Sequence, residues 1–133
     1  MKTISTLLCI LFFAGCNKEE MAKDAVVNAM TTGFWKVTSF QNGSTNVTTD
    51  FSTYKFRFKE NLTVDAINNS TVEKTGNWAA DPGAKTITST FTDANVTISL
   101  LNGTWQITNN DWTFVEAMQT VNGELKQLRL DKM

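Results

Sequence analysis

The chain has 133 residues, enough for one hydrophobic core once an N-terminal leader is removed. Its 12 basic and 13 acidic side chains nearly cancel, and losing Lys2 with the leader brings the net charge to about −2, which offers no footprint for nucleic acid. Histidine is absent and Cys9 lies inside the leader, so Cys16 is the one thiol left; a disulfide framework, a thiolate metal site and the usual neutral-pH general base are excluded, and no catalytic residue, metal or cofactor is expected.

The chain opens on Met1-Lys2, a basic start, followed by the apolar run Leu7 to Phe13, too short to span a bilayer. Residues 1–15 read as a signal peptide. Phe13-Ala14-Gly15-Cys16 resembles the lipobox of bacterial lipoproteins, with Phe13 where Leu is more usual. The resemblance implies that Cys16 becomes the acylated N-terminus and that the membrane contact is lipid; the alternative is an ordinary secretory leader with an incidental cysteine. Asn17-Lys18-Glu19-Glu20 resembles the export signal of Bacteroidetes surface lipoproteins, which implies the outer face of the outer membrane; the alternative is a plain solvated tether. Residues 16–32 are expected to be that tether plus a short helix over Ala25 to Met30.

From Gly33 to residue 133 the periodicity is two, and the spacing predicts about eight strands. The first starts at Gly33-Phe34-Trp35-Lys36-Val37, with Trp35, Val37 and Ser39 on one side and Phe40 on the other. Tyr54 to Lys59 alternates aromatics with a basic stripe of Lys55, Arg57 and Lys59, so one face is buried and one wet. Leu62 to Ala66 pairs back on it. In Thr71 to Ala79, Gly76 leaves room for a neighbouring aromatic or for barrel curvature. Asp81-Pro82-Gly83 turns the chain into Lys85 to Phe91. Residues 92–103 fit either a strand or a helical turn, and a plug-like crossover is favoured. Then come Thr104 to Thr108, a turn at Asn109-Asn110, Asp111 to Thr120, the hairpin signal Asn122-Gly123 and Glu124 to Leu130.

Together these elements resemble a bacterial lipocalin-like domain of the calycin group. The residues that carry the resemblance are Gly33-x-Trp35, Tyr54-x-Phe56-x-Phe58, Thr75-Gly76-x-Trp78, Trp105 and Leu128-Arg129-Leu130, spread over residues 33–132. It implies an all-β, antiparallel, up-and-down barrel of eight strands with Gly33, Trp35 and Arg129 at its closure, Arg129 resting on the Trp35 ring. Leu128 and Leu130 facing inward would turn Arg129 outward, so this pairing needs a barrel-end position or a bulge.

The expected interior is Trp35, Val37, Phe56, Phe58, Val64, Trp78, Ile87, Phe91, Trp105, Phe114, Met118 and Leu128. An eight-stranded barrel either fills with its own side chains or holds one small ligand. Of these residues, Phe56, Trp78, Ile87, Phe91, Trp105, Phe114 and Met118 are the candidate ligand lining. Glu116 shares a face with Phe114 and Met118; inward it would fix a polar ligand group, outward it is a solvated charge. Two functions stay open: a lipid-anchored module binding a small apolar or amphipathic molecule inside the barrel, or a filled barrel serving as a structural or interaction subunit of a surface complex.

Overall fold

The computed structural model describes residues 21–133; the leader, Cys16 and the segment Asn17 to Glu20 lie outside the described residues. Residues 21–31 form helix α1. Thr31 and Thr32 close its C-terminus, their hydroxyls donating to the carbonyls of Val27 and Asn28 at 2.7 Å. Gly33, at φ +79°, takes the left-handed turn that leads from helix to strand, a conformation strained for any residue with a Cβ.

The strands that follow are β1 (Trp35–Asn42), the two-residue β2 (Thr45–Asn46), β3 (Tyr54–Phe58), β4 (Thr63–Asn68), β5 (Thr71–Asp81), β6 (Thr86–Thr90), β7 (Gly103–Asn110), β8 (Phe114–Val121) and β9 (Glu124–Lys132). From β3 onward each strand pairs antiparallel with the next, and β9 returns to β1 in register from Trp35↔Lys132 to Asn42↔Lys126. Eight strands, β1 and β3 to β9, thus close an up-and-down barrel, as the alternation predicts. The seam opposite β9 is thin: β1 meets β3 through Trp35↔Phe56. Beyond that pair the two strands part, and the 3-10 turn Thr48–Phe51 fills the gap with Phe51.

Both barrel ends are stopped by side chains. At one end, Met30 of α1 is 3% exposed and the Trp35 indole Nε1 donates to its carbonyl at 2.9 Å. At the other, Phe51 stacks on Phe40 at 5.3 Å, and Phe40 meets the edge of Trp105 at 5.8 Å. Residues 92–103 supply the second half of that stopper, in agreement with the favoured crossover plug. Here α2 (Val96–Ser99) is capped by Asn95, whose side-chain Oδ1 accepts from the Ile98 N–H at 2.8 Å, and it buries Ile98 with the following Leu101.

Local irregularities decide which residues point inward. A bulge between Val37 and Ser39 in β1 reverses the alternation, so Phe40 enters the core, contrary to the strict period of two. Gly76 fulfils its expectation of making room: a Cβ there would lie 2.4 Å from the Thr90 carbonyl and 2.7 Å from the Phe91 ring. The turn expected at Asn109-Asn110 falls instead at residues 111–113. One oxygen of the Asp111 carboxylate accepts from the Thr113 N–H at 2.6 Å, the Thr113 hydroxyl at 2.7 Å and the Phe114 N–H at 3.1 Å, and so fixes the turn. Consequently β8 starts at Phe114, and its inward residues are Val115, Ala117 and Gln119.

Candidate functional site

The interior is almost full. Phe56, Ile87, Phe91 and Trp105, four of the seven expected lining residues, do converge there with Met30, Val115, Ala117 and Leu128, but they leave a cavity of only about 50 Å³. That is room for one or two waters, against roughly 300 Å³ or more for a small-molecule pocket. Trp78 is buried yet lies off this cavity: its ring packs edge-on to Phe58 at 5.3 Å and its Nε1 donates to the Lys59 carbonyl at 3.0 Å, tying down the β3–β4 turn.

Phe114 and Met118 are corrected by the structure. Both point outward, Met118 at 37% exposure and Phe114 beneath the Arg129 guanidinium, 4.3 Å from its ring centre. The two faces of β8 carry Phe, Glu and Met against Val, Ala and Gln, and the face without the carboxylate is the one that is buried, because an inward Glu116 would lose its water. Small Val115 and Ala117 also suit a core that the opposite strands have already filled with rings. Glu116 accordingly pairs with Arg129 on the outside at 3.2 Å.

Arg129 is likewise displaced from its expected role. It forms a two-pronged pair with Asp131 at 2.9 and 3.1 Å, and that bond, set against some desolvation, raises its pKa and lowers that of Asp131. The cation over Trp35 is Lys132, with Nζ 5.0 Å from the ring centre and 2.9 Å from the Ala29 carbonyl that it bonds. Leu128, Leu130 and Lys132 share the inward face of β9, so the alternation that turns Arg129 out brings Lys132 onto Trp35. Lys132 therefore holds the C-terminal end of α1 to the barrel, where a cation also complements the helix dipole.

The larger space is at this helix-bearing end. Between α1, the β5–β6 turn and the β7–β8 turn lies a cleft of about 330 Å³. Its floor is apolar, made by Val26, Ala29, Met30, Ala80, Ile87, Ile107 and Val115, and its rim is polar, with Asp81, Lys85, Thr86, Asn109, Asn110 and Asp111. Met30, Ile87, Ile107 and Val115 line both the cleft and the interior cavity, so these four side chains stand between them, Met30 being the one that α1 contributes. The rim carboxylates are engaged locally: Asp81 accepts from the Ala84 N–H at 3.2 Å, and the Asp111 pKa is lowered by the Thr113 hydroxyl and then by backbone bonds. Among the described residues the Lys85 ammonium has no ion-pair partner within 4 Å. Such a site can seat a short apolar chain on its floor and a polar or anionic head at its rim.

No family model matches the chain, and no curated protein matches it. Among solved structures it is similar to the crystal structure of a DUF4847 family protein from Bacteroides vulgatus, with a TM-score of 0.55 and 16% identity over 80% of this chain and 96% of that one. At that identity the likeness establishes the barrel fold alone.

Elsewhere most polar groups have structural partners, while among the described residues the buried Asn68 Oδ1 and Gln119 Oε1 have none. Asp65 lies outward on β4 but is covered; burial raises its pKa, and the Lys59 ammonium at 2.7 Å and the Thr75 hydroxyl at 2.7 Å outweigh that and lower it. Tyr54 donates to Glu73 at 2.5 Å while Asn95 bonds both, which joins β3, β5 and the start of α2. Among the described residues no group of three or more acidic or sulfur side chains is placed to hold a metal. Of the cleft floor only Ile87 was among the expected lining; Val26, Ala29, Met30, Ala80, Ile107 and Val115 were missed in the sequence. Ile107 was readable as the partner of Trp105 two residues away, but Val115 depended on locating the turn.

Proposed function

We propose that this chain is a lipid-anchored module of the bacterial envelope that binds a small amphipathic molecule in the cleft beneath α1, rather than inside the barrel. The carrying observation is the contrast between about 50 Å³ inside and about 330 Å³ at the helix-bearing end, where an apolar floor meets a polar rim that includes Lys85. Anchoring is supported by Phe13-Ala14-Gly15-Cys16, and outer-face exposure by Asn17-Lys18-Glu19-Glu20. Two acyl chains or more on Cys16 give stable membrane attachment without a spanning segment.

The test is titration of the leaderless chain with decanoate and decyl maltoside, read by calorimetry, alongside Ala29→Trp. Ala29 lines the cleft but not the interior, so an indole there fills the site and leaves the core intact. Binding that Ala29→Trp abolishes supports the reading. Binding that survives Ala29→Trp rules out the cleft. No binding of either probe, with no small molecule co-purifying in native mass spectrometry, favours the second reading, a filled barrel acting as a structural or interaction subunit of a surface complex, which the small interior also supports.

A further inference from the structure

The geometry points to a membrane-facing end of the barrel: the tip of the β7–β8 turn, led by Trp112, inserts into the lipid headgroup region with the α1 end of the molecule turned toward the bilayer. The inference rests on the Cys16 anchor of the reading above and adds an orientation and a second contact to it.

Among the described residues Trp112 has no aromatic or hydrogen-bond partner for its indole. Of the four tryptophans, Trp35, Trp78 and Trp105 are between 0 and 3% exposed, whereas Trp112 is 60% exposed. It sits at the tip of a turn held rigid by the three bonds to the Asp111 carboxylate, so the indole is presented to the outside by a fixed frame. Leu62, 44% exposed, lies in the β3–β4 turn, which the antiparallel order puts at the same barrel end as the β7–β8 turn, and Met21, 67% exposed, stands at the start of α1. Tryptophan is the side chain that favours the membrane–water boundary, where its ring is buried and its N–H stays wet.

The tether selects which end meets the lipid. Cys16 precedes Met21 by five residues, a span of at most about 18 Å when fully extended. Val26, Ala29 and Met30 all line the cleft, so α1 lies across this end of the barrel instead of running up its wall. The longest strand, β5, has 11 residues, and with the tilt of a closed barrel the two ends stand roughly 25–30 Å apart. The acyl chains therefore hold the α1 end at the surface, while the opposite end, with Val72 and Val96, reaches it only if the barrel tips over. The same orientation opens the cleft, which runs beside Asn110 and Asp111, toward the membrane as a source of amphiphiles.

The experiment uses the full-length, lipid-modified protein from native membranes in phosphatidylcholine vesicles, with brominated lipid as the quencher. Wild type, Trp112→Phe and Cys16→Ser are compared. The expected result is a blue-shifted tryptophan component that brominated lipid quenches and acrylamide no longer reaches, and that is lost in Trp112→Phe with the near-ultraviolet circular dichroism unchanged. Anchored wild type in which Trp112 stays open to acrylamide and untouched by brominated lipid overturns the orientation and leaves the anchor standing. Quenching that persists in Trp112→Phe also overturns it, because another surface then meets the lipid. Cys16→Ser remaining fully membrane-bound removes the anchor itself, and the orientation argument falls with it.

Discussion

Met30→Ala tests whether one side chain divides the core from the cleft. Met30 is 3% exposed and touches both spaces, so losing Cγ, Sδ and Cε removes contacts on the barrel side and merges about 50 Å³ with about 330 Å³. Buried Met→Ala changes cost about 2–5 kcal/mol, and this one belongs near 2–3 kcal/mol because the open cleft lets water refill part of the space. The Trp35 bond to the residue-30 carbonyl survives, since it uses backbone. For a domain of this size the loss corresponds to a fall in Tm of roughly 10–20 °C. Urea denaturation of the leaderless chain gives the stability, and titration with straight-chain carboxylates of increasing length gives the second readout. The variant should favour longer chains than wild type, because the tail can now enter the barrel. A stability loss below about 0.5 kcal/mol, the size of an ordinary surface change, with an unaltered chain-length preference would refute the partition.

Gly76→Ala should destabilise by at least about 1–3 kcal/mol in the same assay, since the new methyl meets backbone at Thr90 as well as the Phe91 ring; a neutral result would mean that β5 and β6 are not so close. Phe56→Ala should cost about 3–5 kcal/mol and Met118→Ala less than about 1, a contrast set by their opposite faces; similar costs would contradict the inward and outward assignment. Stability should also depend on acid. Asp65, Glu73, Asp111 and Asp131 all have lowered folded-state pKa values, so their contribution is complete above the unfolded values and is lost as pH falls through the folded ones. Urea midpoints should hold from pH 7 to about 5 and decline below about 4, and Asp65→Asn should blunt the decline; a rise in stability on acidification would reverse the sign of the argument.

What the sequence made legible follows from period and from turn chemistry. The Tyr54 to Phe58 alternation, the hairpin at Asn122-Gly123 and the missing side chain of Gly76 carry the barrel and its order, because each has one low-energy backbone solution. Trp35 was recognisable as a closure residue, but its cation is Lys132 on the face of Leu128 and Leu130, not the expected Arg129. The errors arise where a single residue resets the phase. The bulge after Val37 sends Phe40 inward, and the Asp111 turn moves β8 so that Val115 and Ala117 replace Phe114 and Met118. A one-residue slip exchanges every side chain between core and surface, and here it displaced two of the seven expected lining residues, Phe114 and Met118. The cleft was not legible at all, since its volume depends on where α1 rests against turns that are far away in the chain.

Methyl-resolved nuclear magnetic resonance of the leaderless chain titrated with decanoate tests the central claim most directly. Val26 and Ala29 line the cleft alone, Val64 and Leu128 line the interior alone, and Ile107 lines both. The account predicts saturable shifts at Val26, Ala29 and Ile107, with Val64 and Leu128 unmoved. Shifts at Val64 and Leu128 without change at Val26 and Ala29 would put the ligand inside the barrel, and an unperturbed spectrum at saturating decanoate would contradict the binding function.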